Sequence, residues 1–245
     1  MTLLAWALTV NASQAANEPT LVLGNAFDTP YTTEIGDGFL DLVLEEAFRR
    51  AGLRLKMVRV SPERALLNAN AGIEDGLSAR IAGLENDYPN LVRVPEKVLN
   101  SPFVAFARQA KLTHANWETL APLSVGHIQG YKIFEKNLKP GTQTTIVDTA
   151  EQLFTMLDKN RIDVALYERW LGLALAKKMG IKNIRVVEPT LADREMFIYL
   201  NKSHAGKVPA ITAALRAIKA DGLYTRICRE KFALLAASTA QCEVK

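Results

Sequence analysis

Strands and helices alternate at short spacing along the whole chain, and this constrains the fold more than any other feature. The strand patterns TLVLGN, LRLKMVRV and DGLSA alternate with the helical patterns GFLDLVLEEAFRRAG and SPERALLNANAG. A second series of the same kind begins at LSVGHIQG. The alternation predicts an α/β fold with a mostly parallel sheet flanked by helices. The length of 245 residues allows one large domain or two smaller ones.

Capping residues set several helix boundaries. Ser61 is a typical N-cap, Pro62 suits the first helical position, and Gly72 ends that helix. Thr149 and Gln152 have the spacing of a capping box at the start of a later helix.

The charge of the chain is mild, with a formal net charge of +4 and 23% charged residues. Lysine and arginine are scattered rather than gathered into runs, so no nucleic-acid partner is expected. The three histidines lack the spacing of metal ligands, and no metal or other cofactor is expected.

Residues 1–15 are predicted to be a signal peptide. An apolar run from Leu3 to Val10 is followed by Ser13-Gln14-Ala15, which fits the small-x-small rule for cleavage. No charged residue precedes Glu18, so the usual positive first region is absent and the true start of the signal is open. A buried N-terminal strand is the alternative. If residues 1–15 are a signal peptide, the protein is exported, and a periplasmic location is expected.

Cys228 and Cys242 are the two cysteines of the chain. An even count in an oxidising compartment favours one disulfide that closes a local loop. Two free buried thiols are the alternative.

A repeated offset suggests a ligand site. Asp75 and Asp163 each begin a predicted strand three residues after a helix ends, and Arg80 and Glu168 each follow five residues later. Ligands of open α/β sheets bind outside the C-terminal ends of the strands. Arg80 and Glu168 are therefore candidates to hold opposite charges of one small ligand, the alternative being ordinary charged strand ends.

The order of these motifs resembles that of type II periplasmic solute-binding proteins, specifically the polar-amino-acid binding family of ABC importers. The resemblance rests on the GFLDL helix, on ALLNANAGIEDG, VGHIQG and AEQLFTMLDKNRIDVALYE, and on the late IKADGLYTRICREKF. It implies two lobes joined by the crossover strands FVAFARQ and REMFIYL. Lobe 1 would comprise residues 16–107 and 195–245, and lobe 2 residues 108–194.

The resemblance also implies roles for individual residues. Glu168 falls on the acidic position, usually Asp, that binds the α-amine of the ligand. The family's carboxylate-binding arginine is missing from its usual place, where this chain has IAGLENDYPNL, and Arg80 is the nearest candidate. Arg64 is expected either to pair with a carboxylate or to contact the ligand.

Five further residues complete the expected site. Phe27 and Tyr31 follow the first strand and are expected to stack on the ligand or to pack in the core. Gly130, Tyr131 and Lys132 match a family loop whose backbone N–H groups bind carboxylate, the alternative being a plain strand-to-helix turn.

The expected function is non-catalytic capture of a small polar or zwitterionic, amino-acid-like solute for an ABC importer. The expected partners are that ligand and a membrane permease or a receptor, and the chain is expected to be a monomer. A ligand-sensing subunit is the first alternative. A periplasmic dehydratase-like enzyme, with Glu168 as general acid, is the second. The sequence does not identify the ligand.

Overall fold

The structure is a computed structural model that describes residues 18–108, 112–233, 235 and 242, without the side chain of Lys132. The predicted signal peptide, residues 1–15, lies outside the described residues. In the described ranges, no helix has both the length and the apolar character needed to span a membrane.

Eight strands and eight α-helices make up the described chain. Their order is β1 (Thr20–Asn25), α1 (Phe39–Arg50), β2 (Arg54–Arg59), α2 (Pro62–Ala71), β3 (Gly76–Ile81), β4 (Leu91–Ala107), α3 (Trp117–Leu120), β5 (Val125–Ile128), α4 (Lys132–Asn137), β6 (Thr144–Val147), α5 (Ala150–Asp158), β7 (Val164–Glu168), α6 (Arg169–Lys178), β8 (Arg185–Asn201), α7 (Val208–Ala220) and α8 (Leu223–Phe232). The predicted α/β class is confirmed.

The predicted caps are also found. Ser61 occupies the N-cap position of α2 without a side-chain capping hydrogen bond, Pro62 lies in the first turn, and Gly72 ends the helix at φ 75°. The capping box at the start of α5 is complete, since the Thr149 side chain accepts from the Gln152 N–H and the Gln152 side chain accepts from the Thr149 N–H. These boundaries follow from local chemistry, which is why the sequence predicts them well.

The chain divides into two compact units. The first contains the described part of Met1–Ala26, with Leu40–Glu96 and Phe197–Leu223. Its strands are ordered β2-β1-β3-β8, and β1 runs parallel to both β2 and β3. A Cβ atom added to Gly76 would lie 2.1 Å from the Tyr199 carbonyl oxygen, so β3 and β8 approach too closely there for any side chain.

The second unit contains Phe27–Phe39, Lys97–Met196 and the described part of Tyr224–Lys245. Its strands are ordered β4-β7-β5-β6, with β5 parallel to β6 and β7. Strand β4 is antiparallel to β7 and places Phe103 opposite Glu168. The predicted lobe boundaries, 16–107 with 195–245 and 108–194, stay a prediction.

Helix α6 packs closely on the core of the second unit. A Cβ atom added to Gly172 would lie 2.4 Å from Cζ of Phe106 and 3.0 Å from Cζ of Phe154. The helix therefore lies directly on these two rings, and its position follows from the absence of a side chain at Gly172.

The two aspartates of the repeated offset make the same contact in each unit. Asp75 Oδ2 accepts the Val22 N–H at 2.7 Å, and Asp163 Oδ2 accepts the Ser124 N–H at 3.0 Å. Each carboxylate thereby binds the backbone of the neighbouring parallel strand just before the two strands begin to pair. The same offset places Arg80 near the end of β3 and Glu168 at the end of β7.

Candidate functional site

Glu168 is the last residue of β7 and the N-cap of α6. One carboxyl oxygen, Oε2, accepts the Leu171 N–H at 2.8 Å, as an N-cap side chain does. The other, Oε1, accepts the hydroxyl of Tyr31 at 3.0 Å. Only 2% of Glu168 is exposed, so this acidic group is both buried and hydrogen-bonded.

The protonation of Glu168 is set mainly by its burial. Loss of solvent raises its pKa to about 8, although the Leu171 N–H and the Tyr31 hydroxyl both favour the ionised form. The same burial and the nearby Glu168 carboxyl raise the pKa of Tyr31 well above its usual range. At neutral pH the Glu168 carboxyl is therefore mainly neutral, and a cation placed beside it would drive out the proton.

The ring of Tyr31, whose hydroxyl bonds to this carboxyl, belongs to an aromatic cluster with Phe27, Phe39, Phe232 and Trp170. The Tyr31 ring lies 5.1 Å from Phe27 and 5.6 Å from Phe232, and Trp170 stacks on Phe232 at 4.5 Å. Tyr31 and Trp170 are buried, while Phe27 is half-buried. Tyr31 thus has a packing role and a polar role together, since its ring is in the cluster and its hydroxyl is on Glu168.

Tyr131 belongs to a second group of aromatic rings in the second unit, with Phe134 and Tyr167. Its ring stacks on Phe134 at 5.8 Å and contacts Tyr167 at 5.6 Å. The Tyr131 and Tyr167 hydroxyls are hydrogen-bonded to each other, and burial raises the pKa of Tyr131 to about 12. When Glu168 is ionised, its negative charge also raises the pKa of both hydroxyls, so both interact electrostatically with that carboxyl.

The predicted anion-binding turn has a carboxylate from its own chain. The Gly130 N–H donates to Glu135 Oε1 at 3.2 Å, and Gly130 has φ 85°. Tyr131 is the N-cap residue of the six-residue helix α4, and the side chain of Lys132 lies outside the described residues. In the structure the Gly130 N–H is therefore bonded to Glu135, and binding of a ligand carboxylate at this turn stays a prediction.

Arg80 is a half-buried cation in the first unit. Its guanidinium donates to the carbonyl oxygens of Ala79 at 2.9 Å and Pro62 at 3.2 Å. Among the described residues, no carboxylate lies within ion-pair distance of it. Burial lowers the pKa of Arg80 to about 10, because its charge has lost water without gaining an anion.

Arg64 lies on the exposed side of α2. The carboxylate partner expected for it is not found among the described residues. The sequence reasoning did not single out two buried polar groups of this unit, Ser78 and Asn25, whose side chains are hydrogen-bonded at 2.9 Å. Both are polar strand residues that are buried as deeply as the apolar residues of the core.

In the part of the chain that the structure describes, no group of three or more His, Cys, Asp or Glu side chains is arranged to hold a metal ion. His204 instead pairs with Asp75 at 2.7 Å, and His127 is buried beside the Ile128 carbonyl oxygen. The predicted disulfide is present, joining Cys228 and Cys242 with a Cα–Cα distance of 5.6 Å.

The chain matches no protein-family model. An uncharacterized protein of Shewanella oneidensis is 23% identical over 229 residues, which cover 89% of this chain and 83% of that protein.

Solved structures match over most of the chain. A mutant of ArgBP from T. maritima is 19% identical with a TM-score of 0.70, and the match covers 87% of this chain and 95% of that one. The GluR0 ligand-binding core from Nostoc punctiforme, in complex with L-glutamate, is 16% identical with a TM-score of 0.70, covering 86% and 99%. This chain has the type II periplasmic binding-protein fold.

A third match with the periplasmic binding-protein fold is a sensor domain. The sensor domain of a histidine kinase with similarity to periplasmic binding proteins is 15% identical with a TM-score of 0.70, covering 88% of this chain and 96% of that one. The resemblance predicted from the motifs is thus confirmed at the level of the fold.

Proposed function

We propose that the protein is a non-catalytic binding protein for a small polar or zwitterionic, amino-acid-like solute. The uncompensated charge of Arg80 carries this proposal. Within the described ranges, this partly desolvated guanidinium bonds only to carbonyl oxygens and has no anion to stabilise it. A carboxylate of the ligand would supply that anion, with the planar fork geometry that arginine favours.

Glu168 is proposed to bind the ammonium group of the same solute. Its carboxyl is mainly neutral in the surroundings described, and the ligand cation would replace its proton. Tyr31 already donates to Oε1, so the carboxyl is oriented before the ligand arrives. Preorganisation of this kind reduces the cost of binding.

Delivery to the permease of an ABC importer, after export to the periplasm, is the proposed physiological role. The similar solved structures support it, because they include binding proteins for amino acids, such as arginine-bound ArgBP. The matched sensor domain favours one alternative, a ligand-sensing subunit for a membrane receptor. Both roles share the binding step.

A thermal-shift screen of amino acids, polyamines and small carboxylates tests the binding step. A ligand at a hundred times its Kd stabilises the folded state by about 2.7 kcal/mol, which is readily measured. Chemical analysis of each mixture after incubation also reveals any product, which would indicate an enzyme. A screen without a stabilising compound would contradict the proposed function.

Calorimetry with the ligand so found then tests Arg80. Arg80→Ala is expected to weaken binding by about 2–5 kcal/mol, because the ligand carboxylate would be left desolvated and unpaired. Arg54→Ala is the matched control, since Arg54 is an exposed arginine of β2 in the same unit. Equal affinities of the two variants would remove Arg80 from the site.

A further inference from the structure

Helix α8 presents one buried face that carries both an aromatic ring and a cysteine. Ile227, Cys228 and Phe232 are its buried residues, and Cys228 and Phe232 are four positions apart, which places them on the same side of the helix. The Phe232 ring lies 4.5 Å from Trp170, 5.3 Å from Phe39 and 5.6 Å from Tyr31. One side chain of α8 therefore contacts three rings of the aromatic cluster.

Two of the residues that Phe232 contacts are bonded to the Glu168 carboxyl. Tyr31 donates its hydroxyl to Glu168 Oε1 at 3.0 Å. Trp170 lies in the first turn of α6, the helix that Glu168 caps, and its backbone N–H donates to the same carboxyl. Phe232 therefore packs against the rings of two residues that hold the carboxyl in place.

Helix α8 has a covalent attachment close to this ring. The disulfide joins Cys228 to Cys242, and the Thr225 hydroxyl donates to the Cys242 carbonyl oxygen at 3.2 Å. These two attachments fasten α8 to the chain around Cys242, and Phe232 is buried on that helix. The ring can then exclude water from the groups it covers.

We propose that Phe232 is a positioning residue for the candidate site, because its ring packs against Tyr31 and Trp170, two residues bonded to the Glu168 carboxyl, and thereby keeps that carboxyl dry. The inference rests on the proposed function only where it treats Glu168 as a site residue. Its physical content concerns the solvation of one carboxyl and requires no ligand.

Four other titratable or charged groups interact with Glu168, and a pH titration reports Glu168 only if these groups do not titrate in the same range. They are Tyr31, Tyr131, Tyr167 and Arg169. The three tyrosines have pKa values raised above the usual range by burial, so they keep their protons below pH 9. The Arg169 guanidinium is bound to both carboxylate oxygens of Glu188, at 2.7 and 2.9 Å.

Fluorescence of Trp170 can report the titration of its neighbour Glu168. Trp6→Phe and Trp117→Phe leave Trp170 as the sole tryptophan, and this double variant is the parent. Its emission is expected to change between pH 5 and pH 9.5 with a midpoint near pH 8, and Glu168→Gln should abolish that change. A parent without this transition would overturn the proposal.

Phe232→Ala in the parent is expected to admit water and move the midpoint down by at least about one pH unit, a tenfold larger acid ionisation constant. Phe232→Leu should lower the midpoint by a smaller amount. If the alanine variant fails to fold, the leucine variant provides the test. Phe48→Leu is the control, because Phe48 is a fully buried phenylalanine of α1 in the other unit and should leave the midpoint unchanged.

A midpoint equal to that of the parent in a folded Phe232→Leu or Phe232→Ala protein would show that the ring only packs, and would overturn the proposal. An equal shift in Phe48→Leu would also overturn it, since the effect would then follow general loss of packing. Because no ligand is added, either result stands apart from the outcome of the ligand screen.

Discussion

Replacing Glu168 by glutamine should stabilise the folded protein at high pH and have little effect at low pH. The carboxyl holds its proton up to about pH 8 in the folded state, whereas in the unfolded chain it releases the proton near its ordinary pKa of 4.5. Between these values the folded state binds more protons than the unfolded state, so stability falls as the pH rises. Each pH unit in this window lowers the free energy of unfolding by about 1.4 kcal/mol through this one group.

Over the accessible range from pH 5 to pH 9 the effect adds up to about 4 kcal/mol. Glutamine has the same shape, remains neutral, and can still accept from the Leu171 N–H. The difference in free energy of unfolding between Glu168→Gln and wild type should therefore grow by that amount from pH 5 to pH 9. Urea denaturation of both proteins at each pH measures it, and other titrating groups cancel in the difference. A difference that stays flat across this range would refute the reasoning from burial.

Three further predictions follow from the same contacts. For a ligand with an ammonium group, affinity measured by calorimetry should rise about tenfold per pH unit from pH 6 to pH 8 and then level off as Glu168 ionises, while a pH-independent affinity would contradict the proposed role of that carboxyl. Replacing Cys228 and Cys242 by serine should cost about 3 kcal/mol of stability in denaturation, and titration of the unfolded, unreduced wild type should find no free thiol. Gly76→Ala should destabilise the fold by about 1–3 kcal/mol in the same assay, because its Cβ would meet the Tyr199 carbonyl oxygen, and wild-type stability would disprove the close approach of β3 and β8.

The sequence predicts those features that depend on neighbouring residues. The boundaries of α2 and α5 follow from Pro62, Gly72 and Thr149, whose effects act within one turn of helix. The matched positions of Asp75 and Asp163 are visible in the sequence, but their contacts with the Val22 and Ser124 N–H groups, 53 and 39 positions away, are not.

The polar contact between Tyr31 and Glu168 lies beyond such reasoning. The two residues are 137 positions apart, and the hydrogen bond depends on how the segment Phe27–Phe39 packs in the second unit. Sequence alone names both residues as site candidates but does not pair them. The role of Phe232 is missed for the same reason, although its spacing of four residues from Cys228 is a signal that a buried face of α8 exists.

The contact of Gly172 with Phe106 and Phe154 has a consequence for the acid at position 168. A side chain at position 172 would lift α6 from the two rings and carry the start of the helix with it, so the backbone at Glu168 is fixed by packing elsewhere. Side-chain length at position 168 then determines how far the acid reaches. Aspartate in place of Glu168 would withdraw the carboxyl by about 1.5 Å, one carbon–carbon bond. A substitution at this position can thus change the reach of the acid by one methylene while the backbone beneath it stays in place.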